Sequence, residues 1–110
     1  MFAVIDENEA REAYIGELDV AAYCGCQYCI GRSDTYVTWS GRLPTQGTTV
    51  AADLNGFEIG DVLRIGSDIY RVEDKVSPGA REALCLYFSN HADAIAFGRQ
   101  ILPVFKIKSR

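Results

Sequence analysis

The chain has 110 residues, of which 48% are hydrophobic and 24% charged, and its formal net charge is −4 at pH 7. This length and balance predict one soluble globular domain with a single core. The acidic residues are spread along the chain without a block of like charge. Nucleic acid is therefore excluded as an expected partner, because neutralising phosphates needs a basic face.

The segment after Met1 (FAVIDENEAREA) has neither the basic start nor the long apolar run of a signal peptide. No later stretch has the length and apolar character of a membrane-spanning helix. We therefore expect no membrane partner and a chain made in the cytoplasm, associated with a particle or trimmed from a cell-wall protein. The lack of a visible export signal favours reduced thiols.

Short runs of β-branched and aromatic residues, each ended by Gly, Asn, Asp or Pro, predict a chain of strands. Residues 6–13 (DENEAREA) read as a polar connection or a weak helical turn. Residues 69–74 alternate apolar and polar side chains, which is typical of a strand with one face in a core. The predicted strands are 2–5, 18–24, 35–39, 48–52, 61–65, 69–74, 83–88 and 102–108.

One helix is predicted near the C-terminal end. Asn90 is a suitable N-cap with Asp93 three positions later, and small and apolar residues recur at helical spacing as far as Gly98. The whole pattern predicts a small mainly β barrel or sandwich with one helix before the last strand. Residues 40–47 (SGRLPTQG) form the longest breaker-rich loop and are a candidate lip for a cleft.

Six motifs follow one another in a specific order. They are YCGCQYC (23–29), VTWSG (37–41), AAD (51–53), FEIGDVL (57–63), RVED (71–74) and ALCLYFSNHADAIAFGRQILPVFKI (83–107). Their order resembles the three-aspartate (3D) domain of bacterial stationary-phase survival proteins, which is related to the catalytic barrel of membrane-bound lytic transglycosylase A. The resemblance implies a small double-psi β-barrel over residues 18–110, with residues 1–17 as an N-terminal extension.

The resemblance also implies peptidoglycan glycan strands as the partner. In the catalytic relatives an aspartate protonates the glycosidic oxygen, and the 6-hydroxyl of muramic acid then attacks to give a 1,6-anhydro product. Asp53 stands at the first aspartate position and Asp74 at the second, but the third is Cys85. A thiol is a weak hydrogen-bond donor and a poor substitute for that carboxyl group.

Two functions therefore stay open. In the first, the chain is a lytic transglycosylase-like enzyme that cleaves glycan strands, with Asp74 as acid/base and Asp53 in support. In the second, it is a catalytically inactive glycan-binding or structural module, for example one subunit of a phage or prophage particle. Under either function Tyr23, Trp39, Tyr36 and Tyr28 are candidate sugar-stacking residues if they face the cleft; core packing is the alternative.

Cysteines are the other candidate site. Cys24, Cys26 and Cys29 lie within one short stretch, and Cys85 supplies a fourth thiolate if the barrel brings its strand alongside. Four soft ligands suit zinc or an iron–sulfur centre, and no other cofactor is predicted. A disulfide or buried thiols are the alternatives.

Two further side chains have a predicted environment. His91, the only histidine, is expected to be exposed in the first helical turn, with a Cys85–His91 nucleophilic pair as the alternative. Arg99 is expected to pair with a carboxylate or a strand end.

Overall fold

The computed structural model describes residues 11–25, 37–77 and 79–108. These residues contain six strands and one helix. In chain order the elements are β1 (Arg11–Tyr23), β2 (Thr49–Ala52), β3 (Val62–Ile65), β4 (Asp68–Lys75), β5 (Leu84–Tyr87), α1 (His91–Phe97) and β6 (Gln100–Lys108).

The strands close into a barrel in the order β1-β5-β2-β4-β3-β6. Two neighbouring pairs are parallel, β1 with β5 and β2 with β4, and the other four pairs are antiparallel. Exchanging the first three strands for the last three, in order, leaves this set of pairings unchanged. The ring therefore has an internal two-fold pattern of pairings, and the predicted small, mainly β barrel with one short helix before the last strand is confirmed.

The core lies inside the ring, and every strand contributes to it a side chain with no exposed surface. These side chains are branched and apolar, as is usual where they pack on a pleated surface. They are Val20, Val50, Leu63, Val72, Leu84 and Val104. Because the ring is closed, each of the six strands pairs with a neighbouring strand on both sides.

Two sequence predictions are wrong in their described parts. Residues 37–39 of the predicted strand 35–39 are irregular backbone that leads into a turn, because Trp39 and Ser40 are bonded to β4 as a loop. Residues 11–13 of the predicted polar connection belong to β1, where Arg11 is paired with Lys108 of β6. β1 thus runs through the proposed boundary at residues 17 and 18, and the predicted strand 2–5 lies outside the described residues.

The helix forms as predicted. The side chain of Asn90 accepts hydrogen bonds from the backbone N–H groups of Ala92 (2.8 Å) and Asp93 (3.3 Å), which satisfies donors that the first turn leaves without a helical acceptor. Gly98, with φ of 68°, ends the helix. After it, Arg99 donates to Asp19 of β1 (2.9 Å) and to Glu82 (3.3 Å), so the predicted carboxylate pairing is confirmed. In the described part of the chain, no helix has the length and apolar character needed to span a membrane.

Candidate functional site

A bulge in β4 sets the direction of Asp74. Val50 of β2 is paired with Val72, but the next residue, Ala51, is paired with Asp74, so Glu73 is the extra residue. Side chains of paired residues point to the same face of a sheet. The bulge therefore moves Asp74 from the core side, where Val72 lies, to the opposite side with Ala51.

One row of side chains crosses four strands on this outer side. Ala21 of β1 is paired with Cys85 of β5, Cys85 with Ala51 of β2, and Ala51 with Asp74 of β4. The three apolar members form a small buried cluster against which Tyr23 packs. Cys85 and Asp74 lie two strands apart, a backbone separation of about 10 Å.

The carboxylate of Asp74 accepts three hydrogen bonds although its residue is only 5% exposed. The hydroxyl of Tyr23 donates to Oδ2 (3.1 Å), and the backbone N–H groups of Trp39 (3.1 Å) and Lys75 (2.9 Å) donate to Oδ1. A backbone N–H group can only donate a hydrogen bond, because it has no lone pair with which to accept one. The site therefore holds Asp74 as a hydrogen-bond acceptor.

The indole of Trp39 is exposed beside this carboxylate. The residue retains 61% of its surface exposure, and Nζ of Lys75 lies 4.0 Å from the ring centroid, a cation–π contact. The backbone N–H of Trp39 is bonded to Asp74, so the backbone that carries the indole is held at this end of the barrel.

Three further residues of the loop that carries Trp39 make hydrogen bonds to the barrel or to the residue ahead of the helix. The N–H of Ser40 donates to the carbonyl of Glu73 (2.9 Å), and the hydroxyl of Thr49 donates to the buried carboxyl of Glu73 (2.7 Å) while accepting from the N–H of Thr45 (2.9 Å). Gln46 accepts from the N–H and hydroxyl of Ser89, ahead of α1. The predicted loop 40–47 is thus an ordered rim of the barrel end.

Asp53 lies apart from Asp74 in a neighbouring cleft. It is exposed, and its side chain accepts from the N–H of Asn55 (3.0 Å), the usual arrangement of a turn aspartate. The cleft has a volume of about 300 Å³. Lys75, which also contacts Trp39, is one of its lining residues, so the indole and the cleft adjoin; the others are Asp53, Leu54, Asn55, Val76, Ser77, Gly79 and Ala80.

Two tyrosines at this end have altered ionisation. Burial, and then the neighbouring charge of Asp74, raise the pKa of Tyr23 far above the ordinary tyrosine value. Burial, and then the charge of Cys24, raise the pKa of Tyr87. The two rings meet edge to face with centroids 5.5 Å apart. Tyr23 is thus held as a neutral hydroxyl that donates to Asp74.

The cysteines have different neighbours. Cys85 packs between Ala21 and Ala51, whereas Sγ of Cys24 lies 3.4 Å from Nδ1 of His91. His91 is half-buried and contacts Cys24, so the prediction of an exposed first-turn histidine is wrong. Cys26, Tyr28, Cys29 and Tyr36 lie outside the described residues, and within the described ranges no three metal-ligating side chains are grouped.

Sequence reasoning did not identify Lys75, Glu73 or the Cys24–His91 contact. The consecutive acids of RVED carried a signal, because strict alternation would place one of the two in the core. The bulge that buries both Glu73 and Asp74 could not be recognised from the sequence, because no local sequence pattern marks it. The contact of Cys24 with His91 depends on the register of β1 against β5, which local spacing does not specify.

Comparisons of the chain with protein-family models, with curated proteins and with solved structures found no match.

Proposed function

We propose that this barrel is a peptidoglycan-related module that binds glycan strands at the end formed by Tyr23, Trp39 and Asp74. The proposal rests chiefly on one observation, the exposed indole of Trp39 beside a polar cleft, which it adjoins through Lys75. Saccharides present apolar C–H faces and rims of hydroxyls. An aromatic ring next to carboxylate, amide and ammonium groups suits both.

The arrangement of the three positions taken from the resemblance supports the same proposal. Asp74 and Cys85 share one row, and Asp53 follows two residues after Ala51, the residue that lies between them in that row. All three positions therefore lie toward one end of the barrel. At these three positions, however, this chain has a buried carboxylate that accepts three hydrogen bonds, a thiol in an apolar cluster and an exposed carboxylate.

Binding is favoured over cleavage because a general acid must release a proton toward the glycosidic oxygen. Asp74 is the acceptor in all three of its hydrogen bonds, and burial and the charge of Asp74 raise the pKa of Tyr23, its hydroxyl donor. Asp53 is exposed and bonded within its own turn. Neither carboxylate therefore has a hydrogen bond directed toward the cleft that a glycosidic oxygen could accept.

Sedimentation with purified peptidoglycan tests the proposal. The wild-type protein is expected to pellet with the glycan, and Trp39→Ala is expected to weaken binding about tenfold, equivalent to about 1.4 kcal/mol. Leu43→Ala is the matched control, because Leu43 is 64% exposed in the same loop and should be neutral. Wild-type protein that stays in the supernatant, or equal binding by Trp39→Ala, would refute the proposal.

Mass spectrometry of purified peptidoglycan after incubation with the protein distinguishes the enzymatic alternative. Intact glycan is expected even at high protein concentration. Anhydro-muropeptides that disappear in Asp74→Asn would replace the binding proposal with a lytic transglycosylase activity.

A further inference from the structure

We infer that Lys75 makes the cleft beside Trp39 selective for glycan strands that carry carboxylate groups over neutral strands. The inference rests on the proposed function and names the class of glycan that the site takes. Stacking on the indole does not by itself make this distinction, because an aromatic ring accepts the apolar C–H face of a neutral sugar and of an acidic sugar alike.

The ammonium group of Lys75 is held by an aromatic ring and not by a carboxylate. Lys75 is exposed at the end of β4 and lines the cleft together with Asp53. The described residues place no carboxylate oxygen within salt-bridge distance of Nζ of Lys75. Other cations of the chain do lie at that distance from a carboxylate; they are Arg64, Arg81, Arg99 and Lys106. Lys75 is therefore a cation in the cleft that an acidic ligand can reach.

The position of the ammonium group on the indole explains how it selects between ligands. Nζ of Lys75 lies 4.0 Å from the centroid of the Trp39 ring, so the ammonium covers part of one face of the indole. A sugar that stacks on this face displaces the ammonium, and the cation–π contact is lost. A neutral sugar offers the displaced ammonium only hydroxyl oxygens. A carboxylate on the sugar accepts a charge-assisted hydrogen bond from it, which is the stronger contact.

The other polar groups of the cleft suit the hydroxyls of the same sugar. Asp53 accepts the N–H of Asn55 through Oδ1, and the amide of Asn55 and the hydroxyl of Ser77 belong to the same lining. An ionised carboxylate only accepts hydrogen bonds, so Asp53 suits hydroxyl donors and repels a second carboxylate. Among the described lining residues Lys75 is the only cation, so the acid of the ligand is directed to it.

Peptidoglycan strands offer two sources of carboxylate. The lactyl ether of N-acetylmuramic acid ends in a carboxyl group that is free where the stem peptide has been removed and is an amide where the peptide is attached. The attached peptide carries carboxylates of its own. Chitin presents the same sugar faces and acetamido groups without a carboxylate. These three ligands therefore separate the effect of charge from the effect of stacking.

Fluorescence titration of the single tryptophan tests the inference. The ligands are soluble peptidoglycan strands with stem peptides, the same strands after enzymatic removal of the peptides, and chitin oligosaccharides of matched length. Wild-type protein is expected to bind at least one of the acidic ligands about three- to fivefold more tightly than chitin, the size of an exposed ion pair. The preferred acidic ligand identifies which carboxylate is bound. The preference should shrink in about 0.5 M salt, which screens exposed charges.

Two substitutions of Lys75 assign the preference to its charge. Lys75→Met keeps a long side chain without the charge and should bind acidic strands no more tightly than chitin, while Lys75→Arg should retain the preference. Lys108→Met is the matched control. It removes the same charge from an exposed residue paired with Arg11, at the opposite end of β1 from Tyr23, and should keep the preference.

The outcomes separate this inference from the proposed function. Equal affinity of the wild type for both acidic ligands and chitin, or a preference that persists in Lys75→Met, would overturn the inference and leave glycan binding in place. Absence of binding to all three ligands would refute the proposed function, and the inference with it.

Discussion

Asp74 connects three separate parts of the chain through one buried side chain. It joins the end of β1 through Tyr23, the rim loop through Trp39 and its own strand through Lys75. A buried acceptor with three donors stabilises the fold when all are present and is costly to remove, because the donors lose their partner. The residue is thus structural as well as part of the proposed site.

Replacing Asp74 by Ala is expected to lower the free energy of unfolding by about 2–4 kcal/mol, since three partly buried donors lose their acceptor. Urea unfolding followed by fluorescence of the single tryptophan measures this change. Asp53→Ala is the control, and its loss should be far smaller because Asp53 is exposed. Equal losses in the two variants would show that the hydrogen bonds of Asp74 contribute little.

At the scale of elements, a strand or helix could be predicted from the sequence where residues within the element itself determine it. The cap of Asn90 and the end at Gly98 follow from side-chain and backbone chemistry within one turn. The start of β1 was not predictable, because the polar residues from Arg11 onward are strand only through pairing with β6. The bulge at Glu73 was missed for the same reason, since it exists only relative to β2.

The connection between β3 and β4 also has a local cause. Ile65 is paired with Asp68, so Gly66 and Ser67 form a two-residue turn, and Gly66 has φ of 64°. In a type II′ hairpin turn only the first of the two central residues has a positive φ, and glycine is favoured at that position. The register of this hairpin therefore depends on Gly66.

Gly66→Ala is expected to cost about 1–2 kcal/mol of stability, because an L side chain is strained at this φ although no atom within 4 Å would meet its Cβ. Thermal unfolding compared with Ser67→Ala, an exposed neighbour without positive φ, measures the effect. A neutral Gly66→Ala alongside a destabilised Ser67→Ala would contradict this account of the turn.

At the scale of the whole molecule, the local strand patterns alone do not distinguish a barrel from a sandwich. The expectation of a barrel came from the order of the motifs. The structure confirms the barrel, and it brings Asp74, Tyr23 and Trp39 together at one end. The predicted partnership of Asp53 with Asp74 has no direct contact among the described residues, because a turn holds Asp53. The bulge in β4 and the turn at Asp53 thus determine which side chains meet, and neither is specified by the order of the motifs.

Global stability should fall at alkaline pH through Tyr23. Its pKa is raised in the folded state by burial and by Asp74, so the unfolded chain ionises first, at about pH 10. The stabilising contribution is complete below that pH and is lost as the pH rises above it. Tyr23→Phe should be less stable than wild type at neutral pH by about 1–3 kcal/mol, and the difference should narrow above about pH 10.

Urea unfolding of both proteins across this range measures the narrowing. Tyr70 and Tyr87 also have raised pKa values and are present in both proteins, so their contributions cancel in the comparison. A difference between wild type and Tyr23→Phe that is constant with pH would show that Tyr23 ionises equally in both states.

The two-fold pattern of the ring determines how the Tyr23–Asp74 hydrogen bond can form during folding. Tyr23 ends β1 and Asp74 lies near the end of β4, and these two strands exchange places when the halves are interchanged. Each half of the chain therefore brings one partner of the hydrogen bond, and neither half alone holds both. The hydroxyl proton of Tyr23, observed by magnetic resonance during refolding, would report the moment at which the two halves interlock.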